Sequence, residues 1–249
     1  MTGKSYIKRA TFVMPTSTFF NLSEEKRETI VQIAIAEFAS HDYDSASITK
    51  IVKQAKIAKG SFYQYFEDKK ELYLYLVDLA NQEKLAFLQA AKQPKPNMGF
   101  FPYLRWLFSV GTKFDLTHPA LSQIVYRSVY GDVPFRDEVL KMTQASSIKY
   151  IKQLVEQGIK QGDIADDVNP DMAAFTINTL GEGLRHYIPA QLGLDTHQLA
   201  QKGVKKDIDL SAVEQIFDDL FRILEHGLGN VSHRDISQNV PTVAATFKR

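Results

Sequence analysis

The sequence predicts an all-α protein in which a small helix-turn-helix unit precedes a larger helical body. Three observations carry this. Apolar residues recur at spacings of three and four along most of the chain. No segment alternates apolar and polar residues with the regular turns that strands need. Around residues 47–65, two short segments with an apolar side are joined by a tight turn. The 249 residues, 44% hydrophobic and 24% charged, suffice for a sizeable core. There are no cysteines, which excludes disulfides and cysteine-ligated metals and suits a reducing cytoplasm. No apolar run is long enough to span a bilayer, so no membrane partner is expected.

Taken in order, the chain opens with MTGKSYIKRATFVMP, which has basic residues but lacks the apolar core of a signal peptide. Residues 1–22 are expected to form a flexible arm. Ser23 is placed to cap a helix to Ser40, with Glu24 and Glu25 at its positive end and Ile30, Ile33, Ala34 and Phe38 on one face. Ser47 caps a second helix to Gln54. A turn at Lys56-Ile57 leads to a third, Ala58–Tyr65. A long helix starts at Glu67-Asp68 and runs to about Ala91. The breaker QPKPNMG follows. An aromatic-rich helix over 100–116 ends before Pro119, and the next, 120–130, stops at Gly131. Phe135–Gln161 is one amphipathic helix closed by Gly162. Asn169 caps a helix that begins at Pro170, where proline is well tolerated, and continues to about Leu192. The last helix, 209–228, carries Val213, Ile216, Phe217, Leu220, Phe221 and Leu224. That stripe either closes the subunit's own core or faces a partner.

Net charge is only +1, but its distribution is uneven. Lys50, Lys53, Lys56 and Lys59 stand between Ser45 and Phe66 with no acidic residue among them, a local electrostatic footprint for nucleic acid. A helix of about eight residues spans roughly 12 Å, close to the width of a major groove. Its start, Ala58-Lys59-Gly60-Ser61, is small enough for close approach to a phosphate backbone. Phe62 and Phe66, four apart, share an inward face. Tyr63 lies on another side, with a hydroxyl that can donate to phosphate. Gln64 suits an adenine edge. Tyr65 is expected near the rim, and Lys69, one turn on, within reach of the backbone. Taken singly, each lysine is an ordinary solvated charge; the constellation is what points to DNA.

The stretch SITKIVKQAKIAKGSFYQYFEDKKELY closely resembles the N-terminal domain of the TetR/AcrR family of transcriptional repressors over about residues 23–80. Ser47 stands where the family has a capping Thr. Lys59, Gly60, Ser61, Phe62, Tyr63, Phe66 and Lys69 match its recognition run. Lys56 departs from the usual turn glycine, where a left-handed backbone costs a lysine of order 1 kcal/mol. Ala58 replaces a capping hydroxyl, and Tyr65 replaces the common His. The resemblance implies a homodimer with a DNA-binding domain at 23–70, a ligand-binding and dimerisation domain at 71–230 and a loose tail at 231–249. The implied DNA-contacting set is Ser47, Thr49, Lys59, Gly60, Ser61, Tyr63, Gln64, Tyr65 and Lys69, facing a pseudo-palindromic operator in double-stranded DNA. It also implies release by a small effector.

For the effector, FFPYLRWLFSVGTKF concentrates aromatic residues, which are as often plain core as pocket wall. Tyr103, Trp106, Phe114, Tyr126 and Tyr130 are expected to line an apolar pocket for an apolar or amphipathic ligand. Arg105, Arg127, Arg185 or His186 are alternative partners for an anionic head group. Glu182 and His186 have a metal-compatible spacing, but a polar pair is the commoner outcome, and no metal or cofactor is expected. Gly181 and Gly183, with the stripe of the last helix, point to a dimer through helices near 170–192 and 209–228. A small all-α enzyme with a similar N-terminus is the competing reading. It lacks support from any phosphate loop, nucleophile signature or ligand cluster. A DNA-binding protein without effector is the other.

Overall fold

The computed structural model describes residues 15–92, 94–95, 98–195, 198–200 and 210–228. The elements are α1 (Ser17–Phe20), α2 (Glu24–Ser40), α3 (Ile48–Gln54), α4 (Lys59–Tyr65), α5 (Lys69–Ala90), α6 (Phe100–Thr117), α7 (Pro119–Tyr130), α8 (Arg136–Gln161), α9 (Pro170–Gln191) and α10 (Leu210–Leu228). No strand occurs among the described residues. The expected tail at 231–249 lies outside them, as do residues 1–14 of the expected arm.

The predicted caps are present. Ser23 Oγ accepts from the Lys26 N–H and Ser47 Oγ from Lys50, while the Asn169 side chain accepts from both Asp171 and Met172. Asp68, expected inside the start of α5, instead caps it, accepting from the Glu71 N–H. Gly162 closes α8 at φ 80°, where glycine escapes the steric cost other residues meet, and the Asp163 N–H returns to the Gly158 carbonyl. α6 starts at Gly99, which has no capping side chain. Asp163 supplies one from the α8–α9 connection, accepting from the Phe100 N–H at 2.8 Å.

Two cores form. The first joins α1–α4 and the first half of α5 to α7, through Phe19, Ile30, Phe38, Ile51, Phe62, Phe66, Tyr73 and Ile124 among others. The second lies within the body, where α6, α8, α9 and α10 meet around Leu104, Val155, Ile177, Ile188 and Phe217. In α10 the predicted stripe closes the subunit's own core: Val213, Phe217, Phe221 and Leu224 are buried there and Ile216 and Leu220 pack half-buried against it, whereas Ile223, outside the stripe, is 68% exposed.

The flexible arm requires correction. From Pro15 to Leu22 the chain packs against the helix-turn-helix unit. Phe19 is fully buried, with its ring 4.9 Å from that of Phe66 and 5.7 Å from that of Tyr75. The Thr16 N–H donates to the Tyr65 carbonyl at 3.0 Å and its hydroxyl to the Gln64 carbonyl. These are C-terminal carbonyls of α4, which a helix cannot satisfy internally. Four residues are too few for a periodic signal, which is why the segment resembles a polar leader in sequence. Phe19→Ala should therefore cost about 3–5 kcal/mol in denaturant unfolding. A cost within about 0.5 kcal/mol, the range of an ordinary surface change, would return this segment to the arm.

Candidate nucleic-acid interface and ligand cavity

The recognition helix α4 has seven residues and splits into two arcs. Phe62, Tyr65 and Phe66 are buried, whereas Lys59, Gly60, Tyr63 and Gln64 are exposed. Tyr63 is 54% exposed, its ring edge-on to Phe62 at 5.2 Å. Its hydroxyl is thus carried on a ring that leans on the core. Ser61 is half-buried at the border. Gly60 faces open space, with nothing within 4 Å of where a Cβ would stand. Thr49 on α3 is exposed beside Lys50 and Lys53.

Tyr65 is a correction. It was expected at the rim, but it is 6% exposed and packs 6.1 Å from the Phe19 ring. It lies three residues after Phe62, on the same helical face. Lys69 also differs from expectation. Its ammonium donates to the Asp44 carbonyl at 3.0 Å and sits 4.7 Å from the centre of the Tyr43 ring, committed to the loop before α3. Burial pulls its pKa down, against the opposing pull of Asp44 and Glu37. Ser47 is consumed in capping. Its N–H donates to Glu37 Oε1 at 3.1 Å.

Glu37 is the residue sequence reasoning missed. It is 4% exposed, inside the domain, with Lys50 Nζ at 2.6 Å and His41 Nδ1 at 3.6 Å. Burial would raise its pKa, but the bonds from Lys50 and the Ser47 N–H and the charges of His41 and Lys50 together hold it below 4.5. It ties α2 to the start of α3. The sequence did hold a sign of this: an acid at position 37 falls among Ala34, Ile35, Phe38 and Ala39 on an otherwise apolar face. The turn between α3 and α4 is strained as the sequence implied. Lys56 has φ 52°, the one positive-φ residue other than glycine among the described residues.

In the body, two cavities meet at one polar wall. The larger, about 190 Å³, is lined by Leu88, Leu107, Phe108, Ile151 and Ile177 and by the polar Lys84, Asp115, Asn178, Glu182 and Arg185. The smaller, about 60 Å³, lies between α6, α7 and α9 beside Leu116, Ser122, Tyr126, His186 and Ile188. Asp115 and Arg185 line both. Asp115 takes Lys84 Nζ on both oxygens at 2.9 Å and the Ser122 hydroxyl at 2.9 Å. Arg185 Nε stands 3.7 Å away. Burial lowers the Lys84 pKa to about 8, the Arg185 charge adding to the effect while Asp115 opposes it.

Of the five expected pocket residues only Tyr126 lines either cavity. Phe114 is buried, stacked on His118 at 4.5 Å and edge-on to Phe87. Trp106 donates from Nε1 to the Lys92 carbonyl, and Tyr103 bonds the Tyr150 hydroxyl at 2.6 Å, both away from the cavities. Tyr130 is 45% exposed, stacked on Tyr126, with its hydroxyl on Glu182. Aromatic density drew the expectation, whereas rings on one helix point to several faces. Glu182 accepts from Tyr130 and from Asn178, and His186 turns edge-on to Tyr126. No group of three or more metal-ligating side chains occurs among the described residues. None of their helices is long and apolar enough to cross a membrane.

An exposed short recognition helix on an all-α body defines a helix-turn-helix transcriptional regulator. Two family profiles match, "Bacterial regulatory proteins, tetR family" over residues 30–76 and "Tetracyclin repressor-like, C-terminal domain" over 98–229. A crystal structure of a TetR family transcriptional regulator from Chloroflexus aurantiacus J-10-FL is 41% identical, covering 88% of this chain and 100% of that one, with a TM-score of 0.74. Among curated relatives, the uncharacterized HTH-type regulator YhgD of Bacillus subtilis is 26% identical over 63% of this chain and 80% of its own. The probable acrEF/envCD operon repressor of Escherichia coli is 22% identical over 70% and 81%. The chain belongs to the TetR family of transcriptional regulators.

Because Glu37 is ionised and paired in the folded state, its contribution is present above pH 4.5 and is lost as the pH falls through its lowered folded value. Glu37→Gln should lose about 2 kcal/mol at neutral pH, and the gap to the parent should close under acid. Unfolding curves at several pH values measure this; a constant gap would mean the carboxylate charge is not what matters.

Proposed function

We propose that the chain is a ligand-responsive repressor that binds a pseudo-palindromic operator as a homodimer and is released by a small apolar or amphipathic effector. The observation that carries the DNA reading is the exposed arc Lys59, Gly60, Tyr63 and Gln64 on a helix otherwise sunk in aromatic core. Lys59 and Tyr63 bind phosphates, Gly60 lets the backbone approach, and Gln64 reads a base. Thr49, Ser61 and Lys53 border the same surface. Lys69 and Ser47 act by holding it in place.

The dimer reading is supported by a second apolar face. Met172, Phe175 and Tyr187 on α9 are each more than half exposed, and Ile223 on α10 is 68% exposed. Such a patch on the family's dimerisation domain fits a two-fold helical interface. The paired glycines serve different ends. Gly181 admits Phe108, whose ring would lie 3.1 Å from an added Cβ, while Gly183 faces open space on the outer side. Responsiveness is supported by α7, which lines the smaller cavity with Ser122 and Tyr126 and grips α2 with Arg127. Arg127 Nη1 donates to the carbonyls of Phe38 at 3.1 Å and His41 at 2.6 Å.

Operator selection with purified protein tests the DNA reading. Tyr63→Phe should cost on the order of 1 kcal/mol on every sequence. Gln64→Ala should cost about 1–3 kcal/mol on the selected operator and relax one base position. A Tyr63→Phe change in base preference, with Gln64→Ala weakening all DNA equally, would reverse the two roles.

Phe175→Arg and Ile223→Arg would place unpaired charge in the proposed interface. Both should shift sedimentation at micromolar concentration from dimer to folded monomer and weaken operator binding. A monomeric parent, or an unmoved dimer in both variants, would refute this interface.

A further inference from the structure

The polar wall between the two cavities narrows the class of effector. The sequence offered Arg105, Arg127, Arg185 and His186 as partners for a head group, and the structure removes three. Arg105 is engaged by Glu214 at 2.8 Å and Asp218 at 2.6 Å on α10. Arg127 is engaged by the carbonyls at the end of α2. His186 is exposed and turned against Tyr126. Arg185 remains, 29% exposed, and it lines both cavities. Its ion-pair partner, Asp115, stands at 3.7 Å from Nε, beyond hydrogen-bond reach, and its guanidinium donates no hydrogen bond to the described residues.

The two carboxylates of this wall are already served. Asp115 holds Lys84 and Ser122, and Glu182 holds Tyr130 and Asn178. The Arg185 side chain is 29% exposed, so the donors left beside its ion pair are open to the cavities and to solvent, and an incoming carboxylate can take them without displacing a protein partner. The planar guanidinium fork matches a carboxylate through two parallel bonds. Beyond the polar wall, the larger cavity is apolar, with Leu88, Leu107, Phe108, Ile151 and Ile177. Lys84, which lines the same cavity, has its pKa lowered first by burial and then by the Arg185 charge, against the opposing pull of Asp115. We propose that the effector is an amphipathic monoanion, with its carboxylate on Arg185 and its aliphatic or small aromatic tail among these apolar side chains. This rests on the ligand-responsive reading above and specifies its ligand.

The test uses the full chain and three probes that share one tail: octanoate, 1-octanol and octyltrimethylammonium. Calorimetry should show octanoate binding at least about tenfold more tightly than either of the others, the worth of one charge-assisted pair. Arg185→Met should reduce octanoate affinity to that of octanol, while Arg185→Lys, a cation without the fork, retains part of it. Thermal melting checks that both variants fold, and the comparison of probes on the parent needs no variant. Equal binding of octanol or the ammonium, undiminished octanoate binding by Arg185→Met, or no octanoate binding at millimolar concentration would each overturn the proposal. Fluorescence anisotropy of the selected operator separates the two readings. Octanoate that binds through Arg185 without releasing DNA supports the anion site and counts against responsiveness. Failure of operator selection counts against the DNA reading alone.

Discussion

A seven-residue helix cannot hold its shape in water, because too few internal hydrogen bonds offset the cost of its first turn. Everything around α4 compensates for that. Its lower face is fixed by Phe62, Tyr65 and Phe66 against Phe19, Ile51 and the first core. Its last carbonyls are satisfied by Thr16, from outside the helix. Its first turn has no capping side chain, since Ala58 offers none. The Ser61 N–H turns back to the Ala58 carbonyl at 2.9 Å, and no side chain covers this end of the helix, the end that phosphate prefers. The support comes from elsewhere in the chain, so the exposed arc carries no structural duty and can be Lys, Gly, Tyr and Gln.

The same logic extends to the join between the two parts of the chain. α5 enters the first core with Leu72, Tyr73 and Leu76, and later supplies Lys84 and Leu88 to the larger cavity. α7 does the reverse. The Tyr73 hydroxyl donates to the Ile124 carbonyl at 3.2 Å, and Ile124 is fully buried in the first core. One residue before Arg127, Tyr126 faces the smaller cavity. A displacement of α7 would therefore be felt at the carbonyls of Phe38 and His41, one and four residues from Glu37. Glu37 in turn holds the Ser47 N–H and Lys50 at the start of α3. Each link is a hydrogen bond or ion pair between named groups, so mutation can break any of them singly.

What the sequence disclosed follows from the range of each signal. Caps and turns are local, and Ser23, Ser47, Asn169 and Gly162 were legible because cap chemistry lies within a few residues. The left-handed turn at Lys56 was legible from the family pattern it departs from. Tyr65 could have been placed correctly, since its spacing of three from Phe62 puts it on the buried face. Phe19 could not, because its burial depends on Phe66 and Tyr75, some fifty residues on. Four of the five expected pocket residues do not line the cavities described above, for a related reason. Counting rings along α6 ignores their direction, and only the packed helices show that Phe114 faces α5 while Tyr103 and Trp106 turn away from the cavities.

The charged wall in the body was the least legible feature, and its chemistry argues for a function. Lys84, Asp115, Ser122 and Arg185 come from four helices, and no spacing rule joins residues so far apart in sequence. Such a group is a poor device for stability, because removing ions from water costs more than their mutual attraction commonly returns, and well-packed apolar residues serve as well or better. The surrounding helices have apolar side chains in abundance, so composition did not force the choice. A structural role would also be expected to satisfy every member, since a half-satisfied network is worse than an apolar core. Here Lys84, Asp115 and Ser122 are joined by hydrogen bonds, whereas Arg185, on the shared wall of two cavities, meets Asp115 at the longer distance of 3.7 Å and stays 29% exposed. Hydrogen bonding within the wall accounts for the first three residues together, and the looser hold on the fourth is what the proposed carboxylate would use.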